Sequence, residues 1–132
     1  MNPGSWLDRT LILRATLFII LIMHSVPGML DGGVNDFGEH YLNQIGFAPV
    51  GVPLGWAIKL SHLITAFLLI ANRYVTISSL INISILVMGI ILVHYPEGWY
   101  VVGGGRNGVE FNVLLIAVFA YLITLDKQRK QG

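Results

Sequence analysis

The chain has 132 residues, enough for one domain, of which 55% are hydrophobic and 11% charged, with mean hydropathy +0.71 and formal net charge +1. So few charges cannot clothe an ordinary water-soluble surface, where they supply about a quarter of the sequence, and the near-zero balance leaves no basic stripe for nucleic acid. With no cysteine, disulfides, thiolate metal sites, cysteine-attached haem and nucleophilic thiol chemistry are excluded.

Four apolar runs account for the excess: 11–30, 54–71, 75–95 and 109–125. A spanning helix needs about 20 apolar residues. The expected fold is therefore all-α, a single membrane domain over residues 1–132 forming a transmembrane four-helix bundle. A short amphipathic helix is expected in its first outer loop. Asn2-Pro3-Gly4 reads as a turn, and Asp8 is placed to cap the helix entering at Leu11. The first run is too long for the apolar core of a signal peptide, and Met23 to Met29 offers no small-x-small cleavage site. Along it Arg14, Leu17, Leu21, His24 and Gly28 share one helical stripe. Arg14 is expected to snorkel to headgroups, and Pro27 to bend or end the helix.

Between Asp31 and Pro53, Val34, Phe37, Tyr41 and Ile45 recur at helical spacing among polar residues. That pattern predicts a helix lying in the interface, packed on the bundle or forming a lid. In the second run Lys59, His62, Ala66, Leu69 and Arg73 form a stripe. Counting 1.5 Å per residue puts His62 near the depth of His24. Lys59 is expected to reach water or to pair with Glu39, Glu97 or Glu110. The third run carries Thr76, Ser78, Ser79, Asn82 and Ser84, small polar groups suited to helix–helix contacts.

The segment His94 to Glu110, HYPEGWYVVGGGRNGVE, is where the chemistry-bearing residues concentrate. Pro96 is expected to stop the third helix, Trp99 and Tyr100 to sit at headgroup level, and Asn107 to cap the fourth helix. Gly103-Gly104-Gly105 lacks the Lys-Ser/Thr of a phosphate loop. Glu110, Leu114, Ala117 and Tyr121 share a side of the fourth run. Arg9, Arg14, Arg73, Lys127, Arg129 and Lys130 fall on one side of a four-span chain, opposite Asp31, Asp36, Glu39, Glu97 and Glu110. The positive-inside bias then places both termini in the cytoplasm of an inner-membrane protein.

His24, Lys59, His62, His94, Arg106 and Glu110 thus project to the outer half and form the candidate polar pocket. Intramembrane ionisable groups are functional candidates by default. Three chemistries fit them. Histidines with Glu110 suit a metal or haem, although no local spacing spells a metal motif. His and Arg/Lys donors suit a quinone head group with proton exchange through His or Glu. A buried polar network tying helices together needs no turnover at all.

Short motifs add a resemblance. Leu13-Arg14, His24-Ser25, Gly46-Phe47-Ala48-Pro49 and the segment running from His94 to Gly108-Val109-Glu110 make the chain resemble the DoxX family of small four-helix membrane proteins. The similarity covers nearly its whole length. The family typically reads His-Gly where His24-Ser25 stands, and Glu-x-x-x-Gly where this chain has His62-Leu63-Ile64-Thr65-Ala66. It reads Gly-Gly-x-Glu at Asn107-Gly108-Val109-Glu110. The resemblance implies a membrane partner in redox systems, a quinone-linked oxidoreductase subunit among the members, and does not by itself imply an enzyme. The expected role is a subunit of a larger membrane assembly, with lipid and other membrane subunits as partners and quinone as the cofactor to test.

Overall fold

The computed structural model describes residues 3–132, with side chains from residue 9 onward. Every regular element among the described residues is helical. α1 spans Pro3–Asp31, α2 Gly33–Phe37, α3 Gly51–Ile70, α4 Val75–Gly89 and α5 Glu110–Gln131. α2 widens into a π-helical stretch over Gly38–Phe47. α4 continues through a π turn, Ile90–His94, and a 3₁₀ turn, Tyr95–Glu97. Because α1 already runs from Pro3, it begins well before Leu11; the side chain of the expected cap, Asp8, and the expected turn residue Asn2 lie outside the described residues.

Three helices are long and apolar enough to cross a membrane: Arg9–Asp31, Gly51–Ile70 and Val75–Glu97. Ile12, Ile19, Met23, Ile64, Phe67 and Ile77 on these helices are more than half exposed. A large apolar surface of that kind suits lipid and not water, so the chain is membrane-embedded. α5 is apolar only as far as Leu125 before its charged end, and it is not among the three.

The chain divides into two compact units, Leu11–Arg73 and Tyr74–Gly132, the latter taking in the start of α1. In the first, α1 continues through Pro27 to Asp31, so of the two expected outcomes, a bend or an end, the helix does not end there. A proline costs a membrane helix one backbone bond, which neighbouring groups compensate. Just before it, the Ser25 hydroxyl donates to Leu21 O at 2.7 Å.

The loop helix also departs from the expected stripe. Val34, Gly38 and Leu42 are buried, Phe37 and Tyr41 are half-buried, and Ile45 is exposed. The i→i+5 bonding of the π stretch widens each turn and so shifts the inward positions to every fourth residue. Gly38 is required there, because a Cβ would collide with the Val52 backbone.

In the second unit α4 and α5 pack antiparallel. Asn112 Nδ2 donates to Leu86 O at one end (3.2 Å), and Thr76 Oγ1 donates to Asp126 Oδ2 at the other (2.7 Å). These two bonds turn Asn112, Leu115, Phe119, Leu122 and Asp126 inward. Leu114 and Tyr121, expected on a functional side with Glu110, are exposed instead. Ser78, Ser79 and Asn82 are buried on α4, with Asn82 Nδ2 donating to Ser78 O at 2.9 Å.

Candidate functional site

In the unit Leu11–Arg73, Arg14 sets the register of α1 against α3. Its side chain is 2% exposed and does not snorkel to headgroups. Nη1 donates to Leu69 O (2.9 Å) and Ile70 O (3.3 Å), carbonyls in the last turn of α3. A cation there satisfies both the carbonyls and the negative end of the helix dipole. One turn along, Phe18 meets Phe67 edge-on, ring centroids 5.6 Å apart. This antiparallel register is decisive for the basic residues. Ten residues further along α1 comes His24; ten back along α3 from Leu69 comes Lys59, with His62 one turn away. Lys59 acts electrostatically on both histidines, and His24 on His62.

These three expected pocket residues are thus brought together, though not as the stripe implied. Ser25, not His24, takes the buried position on α1, and His24 lies on the exposed shoulder. His62 Nδ1 is buried without a hydrogen-bond partner. Lys59 Nζ lies over the Phe37 ring, 5.9 Å from its centroid, and Phe37 stacks on Tyr41 at 5.5 Å. Glu39, the expected partner in the same unit, forms no ion pair with Lys59 among the described residues. A lysine charge at the centre of a membrane helix costs about 2.5–3.5 kcal/mol on insertion scales, so the cation–π contact offsets only part of that.

The loop helix is fastened over the N-terminal end of α3 by two further bonds. Trp56 Nε1 donates to Asn35 Oδ1 (2.7 Å), and Gly51 N donates to Asn43 Oδ1 (2.8 Å). A Cβ on Gly51 would strike Gly38 O and the Asn43 side chain. His40, exposed to solvent, faces Asp36 at 3.8 Å.

In the unit Tyr74–Gly132, the other three expected pocket residues each hold the loop between α4 and α5. Glu110 Oε1 accepts from the amides of Val101 (2.7 Å) and Val102 (2.8 Å). His94 Nδ1 bonds Asn107 O at 2.7 Å. Arg106 pairs with Glu97 at 3.1 Å, not with Glu110 four residues on. Asn107 does not cap α5, which starts after Val109 with no side-chain cap. Val109 N donates to Gly98 O and Glu110 N to Trp99 O, both at 3.0 Å, which brings Gly108 too close to Trp99 for a Cβ. An open groove of about 260 Å³ beside this loop is lined by Val101, Val102, Glu110, Phe111 and Leu114. Nearly all of that lining is apolar.

Asp126 is the group the sequence reading missed. It is fully buried and holds Thr76, Arg129 Nη2 (2.8 Å) and Lys130 Nζ (2.9 Å). Burial opposes its charge, but the Lys130, Thr76 and Arg129 contacts outweigh it and hold the carboxyl below the usual carboxylate range. Basic residues three and four positions on were the available signal. Among the described residues no three His, Asp or Glu side chains are grouped to hold a metal ion. Comparison with family models, curated proteins and solved structures gives no match.

Proposed function

We propose that the chain is a DoxX-like subunit of a larger, redox-linked assembly in the inner membrane, crossing the bilayer four times with both termini cytoplasmic. Support for the fourth crossing comes from α5 running antiparallel beside a helix of spanning length, tied to it at Thr76–Asp126 and Asn112–Leu86. Its apolar part, sixteen residues from Glu110 to Leu125, reaches about 24 Å against a hydrocarbon core of about 30 Å. Local thinning and snorkelling by Lys127, Arg129 and Lys130 bridge such a difference.

The observation that carries the subunit reading is the use to which His94, Arg106 and Glu110 are put. Each is engaged in fixing one loop, which is what a scaffold needs. Purification in mild detergent tests it. A subunit co-purifies in fixed ratio with other membrane proteins, and joint replacement of His24, His62, His94 and Glu110 lowers assembly but not turnover per complex. Isolation as a lone protein from native membranes contradicts it. The quinone-reactive reading is the second one, favoured by the buried, unpartnered His62 Nδ1 beside Lys59. It requires bound quinone or a redox change in the spectrum of the purified protein, lost in the same variant.

A further inference from the structure

The stripe Glu110, Leu114, Ala117 and Tyr121 on α5 is left open by the packing of α5 on α4. Leu114 and Tyr121 are more than half exposed, and Ala117 is exposed as well. At the head of the stripe lies the groove of about 260 Å³ shared with Val101 and Val102, in which Glu110 is the one ionisable lining residue. Glu110 has acceptor capacity to spare. An ionised carboxylate offers about four lone-pair sites and donates nothing. Its Oε1 takes the Val101 and Val102 amides, while among the described residues Oε2 makes no hydrogen bond and the carboxylate no ion pair. Arg106, the only Lys or Arg between Gly98 and Val109, is committed to Glu97.

The backbone sets the depth of this group. Val75–Glu97 is long and apolar enough to cross a membrane, so its last residue lies near a membrane surface. Glu110 N donates to Trp99 O at 3.0 Å, which holds Glu110 level with the chain just past that helix. α5 then runs back beside α4, with Asn112 bonded to Leu86 O. Leu114 is about 6 Å further in than Glu110, and Ala117 about 10 Å. A carboxylate at headgroup level is thus followed by an apolar track leading into the hydrocarbon.

We infer that this stripe binds a phospholipid with a primary ammonium headgroup, phosphatidylethanolamine. The ammonium donates to Glu110 Oε2, an acyl chain lies in the groove and along Leu114 and Ala117, and the phosphate stays in water. A primary ammonium carries three N–H donors, and its hydrogen bond to a carboxylate is charge-assisted on both sides. A choline headgroup has no N–H to donate. Such binding belongs to the isolated chain and is independent of the subunit reading.

The test uses the full chain in nanodiscs of phosphatidylcholine with and without phosphatidylethanolamine, with retained lipid read by native mass spectrometry. The wild type should retain phosphatidylethanolamine over phosphatidylcholine, and Glu110→Gln should lose about tenfold of that preference, the worth of one charge-assisted hydrogen bond. Glutamine keeps a carbonyl oxygen for the Val101 and Val102 amides, so the charge goes while the loop contact stays. Leu114→Trp, at an exposed position, should fill the groove and lower the preference by itself, which keeps the test decisive should Glu110→Gln fail to fold. A photo-crosslinker at Leu114 in native membranes should capture lipid. Equal retention of the two lipids by the wild type, a preference untouched by both variants, or capture of a protein at Leu114 in place of lipid would overturn it.

Discussion

Arg14 shows how one side chain can fix helix register inside a membrane. Its guanidinium is buried where it donates to two carbonyls at the end of α3, partners that hydrocarbon does not offer. Arg14→Leu should destabilise the protein by about 2 kcal/mol, within the range for hydrogen bonds to charged groups, with Arg14→Lys in between; chemical denaturation in detergent measures both. The sequence placed Arg14 at the right end of the first span but sent it to the headgroups. Nothing in the local pattern says that a partner helix will end beside it.

Asp126 gives a pH test of the second unit. Its carboxyl is held below its ordinary value, about 3.9, by Lys130, Thr76 and Arg129 against the opposing effect of burial. A depressed folded value means the ionised form stabilises the fold. That contribution is fully present above the ordinary value and is lost as pH falls through the depressed one. Wild type should therefore unfold at higher denaturant than Asp126→Asn near neutrality, and the gap should close as pH drops below about 4. A constant gap across that window would show that Asp126 acts through shape and not charge.

Among the elements, the loop helix departs furthest from its sequence. A helix from Val34 to Ile45 was legible from spacing, but the π stretch was not, because apolar spacing alone does not distinguish bonding to the fourth from bonding to the fifth residue. The close approach of Gly38 to Val52, and of Gly51 to Gly38 O, is what places the helix on α3. Gly38→Ala should push the two backbones apart at a cost of about 1–3 kcal/mol and raise amide exchange through Asn35 and Asn43. α5 shows the same limit. Glu110, Leu114, Ala117 and Tyr121 form a valid helical stripe, yet the buried face is the one that pairs Asn112 and Asp126 with α4.

At the scale of the molecule, composition gives four apolar runs, of which the first three lie on helices long and apolar enough to cross a membrane, while the fourth, the apolar part of α5, does not reach that length. The candidate site was half legible. Depth counting set His24 and His62 at a shared depth with Lys59 nearer the surface, and in the structure Lys59 acts electrostatically on both histidines. It treated His94, Arg106 and Glu110 as free groups, because loop backbone amides that consume a carboxylate leave no trace in side-chain spacing.

The four-crossing topology is the central claim, and the absence of cysteine makes it directly measurable. Single cysteines at Gln44, Val102 and Gln131, all exposed, can be challenged with a membrane-impermeant maleimide in intact cells and after lysis. Four crossings require Gln44→Cys and Val102→Cys to label in intact cells and Gln131→Cys only after lysis. Labelling of Gln131→Cys in intact cells together with Val102→Cys would put α5 on the outer surface and leave three crossings.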